Sequence, residues 1–306
     1  MRQVVFYHSC FGRNDGSPLY YFEALKRRFG QDMVIHLQPD ETAYKFGNFD
    51  LSWWVDYGED GLPVPNWLPI DKQWGKTIYI VSDAHLGAEY RYKKALNFDY
   101  VFFNQKRFIS EFTNFNRQHS SKKRVKAWHF LPHAVEPLAY PHFEIIKKYD
   151  VCFIGHLQDR KNYNGITRID MLDRAFSEFP NFYFGTRNML KPGVNMFEDA
   201  AKKFCQSRVV LNISIADDVN MRVFETLATG SFLLTNWIPA LGNLFQDGKH
   251  LVTYKTLDEM VKKIKYYLKN EEEREKIAKE GQKEVLAKHT FSYRIQTVFD
   301  KLKIGY

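Results

Sequence analysis

Asp217 and Glu225 stand eight residues apart with Arg222 between them, in the stretch Ser214-Ile215-Ala216-Asp217-Asp218-Val219-Asn220-Met221-Arg222-Val223-Phe224-Glu225-Thr226-Leu227-Ala228-Thr229-Gly230. Carboxylates accept hydrogen bonds from sugar hydroxyls, and a guanidinium or a helix start binds anionic oxygens. Asn220 is a natural N-cap, Val223, Phe224 and Leu227 give an apolar face, and Gly230 suits the C′ position. The pattern predicts a short helix between two buried strands, Val209 to Ile213 and Phe232 to Leu234. Asn220, Met221 and Arg222 then offer a diphosphate the first helix amides and the positive end of the dipole. Met221 and Arg222 lie four and three residues before Glu225, so all three share a face and the carboxylate leans back toward the helix start. Glu225 can accept from two sugar hydroxyls, or pair in solvent with Arg222 for a few tenths of a kcal/mol; spacing leaves both open. Asp217 precedes the cap and belongs to the loop ahead of the helix.

Other residues of suitable type follow strand ends. Asp83 and His85 come after the strand Thr77 to Val81, at the carboxyl edge where open α/β sheets bind ligands. A carboxylate two residues from an imidazole can fix a tautomer or move a proton, and a histidine satisfied by loop backbone is the plain alternative. His8, with Asn14 and Asp15, occupies a comparable rim position after the first strand. Arg160 and Lys161 follow the strand Asp150 to Ile154 and either clamp a diphosphate or form an exposed basic loop. No histidine or cysteine is spaced for a metal, and G-x-S-x-G, Walker A and G-x-G-x-x-G are all absent.

Alternating strands and helices must position these groups. Strands are expected at Val4 to His8, Met33 to Leu37, Leu51 to Val55, Thr77 to Val81, Phe98 to Phe103 and Val125 to Leu131. Ser17-Pro18 opens a helix running to about Arg28, and a second runs from about Lys106 to Phe115. The loop from Tyr57 to about Trp74 is a candidate flap, and the basic run Arg117 to Lys126 an exposed turn or a contact for a phosphate-rich acceptor. Glu136 to Tyr149 reads as a crossing between domains. The second set continues with a helix from about Arg168 to Phe179, a strand Phe182 to Phe184 and a helix from about Phe197 to Cys205. Thr256-x-x-Glu259 and Asn270-x-x-Glu273 read as capping boxes, and Phe291 to Leu302 as the last helix. The alternation argues for parallel, doubly wound sheets.

Composition narrows the class. At 306 residues, 44% hydrophobic and 16% aromatic, the chain has material for one large core or two ordinary ones. No apolar run approaches the ~20 residues of a membrane span. The start Met1-Arg2-Gln3-Val4-Val5-Phe6 enters a strand without a signal-peptide pattern, and Cys10, Cys152 and Cys205 are few and far apart, so the expected setting is the reduced cytoplasm. A net charge of +8 favours anionic partners: nucleotides, nucleic acid or an acidic membrane face.

The segment from Asp150-Val151-Cys152-Phe153-Ile154-Gly155 through Asn220-Met221-Arg222-Val223-Phe224-Glu225-Thr226-Leu227-Ala228-Thr229-Gly230 resembles GT-B glycosyltransferases. Leu233-Leu234-Thr235-Asn236, Leu244-Phe245-Gln246-Asp247-Gly248-Lys249 and His289-Thr290-Phe291-Ser292-Tyr293-Arg294 extend the likeness. It is nearest the CgeB/YkvP-like, spore-maturation-type group related to glycosyltransferase family 4. The resemblance implies an α/β fold of two Rossmann-like domains facing a cleft, with the C-terminal helix returning to the N-domain. It implies a nucleotide-sugar donor held mainly by the C-terminal domain, with no metal or other cofactor. Glu225 matches the second Glu of the family's Glu-x7-Glu motif, which binds the ribose, and Asp217 takes the place of the first, near the donor sugar. Arg160 and Lys161 fall near the family's phosphate clamp, and His85 near its N-domain histidine.

The expected domains are 1–138 with 291–306, and 139–290. The expected activity is transfer of a sugar from a nucleoside diphosphate sugar to an acceptor hydroxyl. Asp83 is the base for an inverting reaction, and the leaving phosphate takes the proton in a retaining one. The acceptor is open among glycan, protein, lipid and nucleic acid. Two competing readings are a glycosyltransferase that modifies nucleic acid and a GT-B binding protein without turnover.

Overall fold

Gln3-Val4-Val5-Phe6 is buried along its whole length, as expected of a strand covered on both faces. In this computed structural model the described residues are 1–6, 16–37, 48–56, 72–82, 84–119, 124–157, 161–186, 196–215 and 217–304. They form two units, Met1–Pro132 with Phe291–Tyr306, and His133–Thr290. The first unit ends ahead of residue 138 because the Val135 amide donates to the His289 carbonyl at 3.0 Å and Val135 bridges Thr290.

The first unit runs β1 (Gln3–Phe6), α1 (Ser17–Phe29), β2 (Val34–Leu37), β3 (Leu51–Val55), β4 (Lys76–Val81), α2 (Ala88–Ala95), β5 (Tyr100–Phe103), α3 (Arg107–Gln118) and β6 (Ala127–Phe130). All six strands are parallel, in the order β2-β1-β3-β4-β5-β6. Its core is aromatic: Phe6 meets Trp74 edge-on at 5.1 Å and Tyr79 stacks on Phe98 at 5.0 Å. α2 was not anticipated from sequence, because its buried side chains include charged ones. Arg91 pairs with Asp56 at 2.8 Å and Lys94 lies 4.2 Å over the Trp54 ring, so no apolar stripe marks the helix. Of the candidate flap, Tyr57 to Asp71 lie outside the described residues. The basic run is partly structural: Arg124 and Lys126 reach the buried Asp99 carboxylate at 3.3 and 3.1 Å.

The second unit runs β7 (Tyr149–Ile154), α4 (Arg168–Glu178), β8 (Phe182–Gly185), α5 (Met196–Cys205), β9 (Ser207–Asn212), α6 (Met221–Ala228), β10 (Leu233–Asn236), β11 (Val252–Tyr254), α7 (Leu257–Lys269) and α8 (Glu271–Lys288). Its strands are parallel in the order β11-β10-β9-β7-β8. Alternate residues divide between two apolar layers. Val151, Phe153, Val209 and Leu211 pack with α4 and α7, while Cys152 and Val210 pack with α5 and α6. Both faces are covered, as a doubly wound sheet requires.

The expected box at Thr256 forms its first half, with the Glu259 amide donating to the Thr256 hydroxyl at 3.1 Å. The box expected at Asn270 does not form. Asn270 Nδ2 donates back to the Tyr266 carbonyl at 2.8 Å, closing α7, and Glu273 accepts from the Tyr266 hydroxyl instead. The last helix, α9 (Phe291–Leu302), belongs to the first unit. Phe291 packs on Tyr20 and Tyr21, Phe299 on Phe29, and Arg28 donates to Gln296 at 2.7 Å.

α6 and α8 approach closely at Gly281, where a Cβ would overlap the His250 carbonyl oxygen and lie 2.8 Å from Leu227 Cδ2. Gly281→Ala is therefore expected to destabilise the chain by about 1–3 kcal/mol. The check is thermal or urea unfolding; an unshifted transition would show that α8 moves aside freely.

Candidate functional site

In the second unit the chain leaves β7 toward β8 on one side, while β9 lies on β7's other side. The strand order reverses there, so the loops leaving β7 and β9 diverge and open a crevice at the carboxyl edge of the sheet. Gly155 and His156 follow β7, and Ile213 to Asn220 follow β9 and lead into α6.

α6 forms where the apolar face Val223, Phe224 and Leu227 meets the sheet, and Gly230, at φ 70°, ends it as expected. Asn220 takes the N-cap position, but its side chain does not cap the helix. Its Nδ2 donates instead to Asn212 Oδ1 at 3.2 Å and to the Ile213 carbonyl at 3.3 Å, tying the helix start to the end of β9. The Asn220 side chain thus leaves α6 uncapped, the Val223 amide turns to the Asn220 carbonyl at 3.2 Å, and the positive dipole end lies beside the loop from β9. Asn236, at the end of β10, accepts from the Ser214 amide at 2.6 Å and fixes the same loop from the other side.

Glu225 is buried, with 7% of its surface exposed, so the solvated reading does not hold. The ion pair does form: Arg222 Nε donates to Glu225 Oε2 at 3.1 Å. The Arg222 guanidinium also sits 5.5 Å over the Phe204 ring, and its Nη1 would lie 3.7 Å from a Cβ at Gly155. The tight neighbour at Gly155 is the Phe153 ring, whose Cζ would lie 3.0 Å from that Cβ, while the guanidinium would be in ordinary contact. Met221 is half-buried in the first turn of α6. Asp217, also half-buried, accepts from the Ala240 amide at 3.1 Å, which joins the loop after β9 to the turn after β10.

Arg168 was not anticipated. Its Nη1 donates to the His156 carbonyl at 2.8 Å and its Nη2 to the Ile213 carbonyl at 3.4 Å, so one guanidinium spans both loops of the crevice. Burial first, and the nearby Arg222 charge second, push the guanidinium down to about 10, leaving it protonated at neutral pH. The sequence held one signal. Arg168 is the first residue of α4, where a cation opposes the helix dipole and an acid is favoured.

The remaining candidates fall elsewhere. Lys161 is exposed, near enough to Asp170 to lower that carboxyl behind the larger effect of the Thr167 hydrogen bonds. His85 belongs to the first unit, in a 3-10 turn Ala84–Leu86 after β4, with its Nδ1 3.1 Å from Gln105 Nε2. His8, Asn14, Asp15, Asp83 and Arg160 lie outside the described residues. Cys152 is no nucleophile: burial raises its thiol to about 12. Among the described residues no group of three acidic, histidine or cysteine side chains is placed to hold a metal, and no helix is long and apolar enough to cross a membrane.

Residues 177–300 match the family model described as glycosyl transferase-like. No curated protein matches the chain. Solved structures do. Anabaena Alr3699/HepE, in complex with UDP-glucose, superposes with a TM-score of 0.65 at 11% identity, covering 99% of each chain. Sucrose-phosphate synthase (tll1590) from Thermosynechococcus elongatus gives 0.64 at 11% identity, again over 99% of each chain. A UDP-forming α,α-trehalose-phosphate synthase from Burkholderia vietnamiensis gives 0.58 at 14% identity, covering 83% of this chain and 71% of its own. The chain shares their fold: two Rossmann-like doubly wound units with the last helix on the first, the arrangement called GT-B.

The Arg222–Glu225 pair is shielded enough to exceed an exposed helix pair. A double-mutant cycle on Arg222→Ala and Glu225→Ala, read by unfolding free energy, is expected to return a coupling of about 1 kcal/mol. A coupling near zero would show that the two side chains are held independently.

Proposed function

We propose that the chain is a glycosyltransferase that moves a sugar from a nucleoside diphosphate sugar to an acceptor hydroxyl. It is grouped with the CgeB/YkvP-like enzymes related to glycosyltransferase family 4. The observation that carries this reading is the crevice between β7 and β9. There two guanidiniums, Arg168 and Arg222, stand close enough to interact, with a buried carboxylate, Glu225, on one of them. Like charges held together off water are costly, and an anion between them relieves the cost. The α6 amides point to the same ligand class, a diphosphate.

In this reading Asn220, Met221 and Arg222 receive the diphosphate, with Lys161 at the rim. Glu225 keeps one oxygen on Arg222 and accepts from the ribose hydroxyls, since a carboxylate offers about four lone-pair sites. Asp217 orients the donor sugar through the loop it anchors. His85 is assigned to the transferred sugar or the acceptor. As the sugar–phosphate bond breaks, negative charge builds on the departing diphosphate, and these cations and amides stabilise it without reorganising. Their charge does the work that a metal does elsewhere, so turnover is expected to persist in EDTA. The first donor to try is a UDP-sugar, because the similar Anabaena structure holds UDP-glucose. A cytoplasmic setting fits the free thiols of Cys152 and Cys205.

A thermal-shift and hydrolysis screen against nucleotide sugars tests this. A cognate donor at a hundred times its Kd should stabilise the fold by about 2.7 kcal/mol. Glu225→Ala should lower donor affinity and turnover at least about tenfold, the loss of a charged hydrogen bond. Unaltered turnover in that variant would overturn the donor-site assignment.

A further inference from the structure

Arg168 deepens this reading and rests on it. Nη1 holds the first loop of the crevice through His156 and Nη2 holds the second through Ile213. Among the described residues its Nε is buried and unpartnered. Two of its donors are spent on backbone that belongs to different strand ends. Arg222, by contrast, keeps its Nη1 near Gly155 and gives only Nε to Glu225. The two arginines therefore divide the labour. One is placed to meet a ligand and the other to hold the walls.

We propose that Arg168 is a positioning residue. Its planar fork fixes the separation of the Gly155–His156 and Ile213–Asn220 loops so that a diphosphate fits between them. A lysine cannot take over. Its single ammonium has charge but no rigid fork to reach two carbonyls at a set spacing. Arg168 thus sets affinity for the diphosphate and leaves the nucleoside, which Glu225 holds, largely alone.

The test compares UDP and uridine binding, by calorimetry or ligand-observed NMR, in wild type, Arg168→Lys and Arg168→Gln. Each variant is checked first for an intact fold by circular dichroism. Arg168→Lys should raise the Kd for UDP about tenfold or more, as expected for a lost charged hydrogen bond, with uridine within about twofold. Arg168→Gln should lose more UDP affinity, because it drops the charge too, and it carries the comparison if the lysine variant does not fold. UDP binding at the wild-type level in the folded variant overturns the positioning role. Equal losses for UDP and uridine also overturn it, since a general loosening of the unit would weaken both. Failure of wild type to bind any of UDP, ADP, GDP, CDP or dTDP overturns the donor reading itself. That outcome is distinct because it appears before any substitution is made.

Discussion

β7 and β9 lie side by side although α4, β8 and α5 come between them in the chain, and the loops that leave them run apart. Everything proposed for the second unit depends on that reversal. It sets the Gly155 backbone against one side of the crevice and the start of α6 against the other. It also leaves polar groups at the strand ends that the apolar layers cannot cover. Two bonds answer some of them there, Asn220 Nδ2 to Asn212 Oδ1 and the Ser214 amide to Asn236 Oδ1, and the first ties the start of α6 to the end of β9. The helix is thus aimed by its neighbours, and the Asn220 side chain does not cap it.

Charge is the second constraint. Arg91, Arg274 and Glu225 are each almost wholly buried. Two of these serve the fold: Arg91 grips Asp56 in the first unit, and Arg274 donates to the Tyr267 carbonyl while Glu271 and Glu275 flank it in the second. Arg168 differs because, among the described residues, carbonyls and not acids receive its hydrogen bonds. Such a charge beside Arg222 is what the proposed diphosphate would answer. The net charge of +8 is a poor guide to this. Much of the basic surface lies on helices in pairs such as Lys202–Glu198 and Lys288–Glu284, and the Arg124–Lys126 end of the basic run answers Asp99.

Most of the elements were legible because covered strands and one-sided helices leave periodic traces. Val55, Val81, Phe103 and Ile154 each end a strand where an apolar run stops. What escaped had no such trace. α2 buries Arg91 and Lys94, so its inward face looks polar in sequence, and β11 is only Val252–Tyr254. The capping signal at Asn270 was genuine chemistry applied to the wrong helix, since the same side chain can bond forward or back and here bonds back to Tyr266.

The sequence by itself determined the fold class, the placement of α6 between two buried strands, and the shared face of Arg222 and Glu225. Those follow from local periodicity and from spacing within one helix. Only the tertiary structure decided that Glu225 is buried rather than solvated and that Asn220 reaches back to β9. The partnership of Arg168 with Arg222 is the clearest case. They lie in the first turns of different helices 54 residues apart in the sequence, and Arg168 feels the Arg222 charge because parallel strands β7 and β9 pair and bring their carboxyl ends together. Nothing local encodes that proximity of charge, because the strand order that creates it is fixed by which apolar faces cover one another.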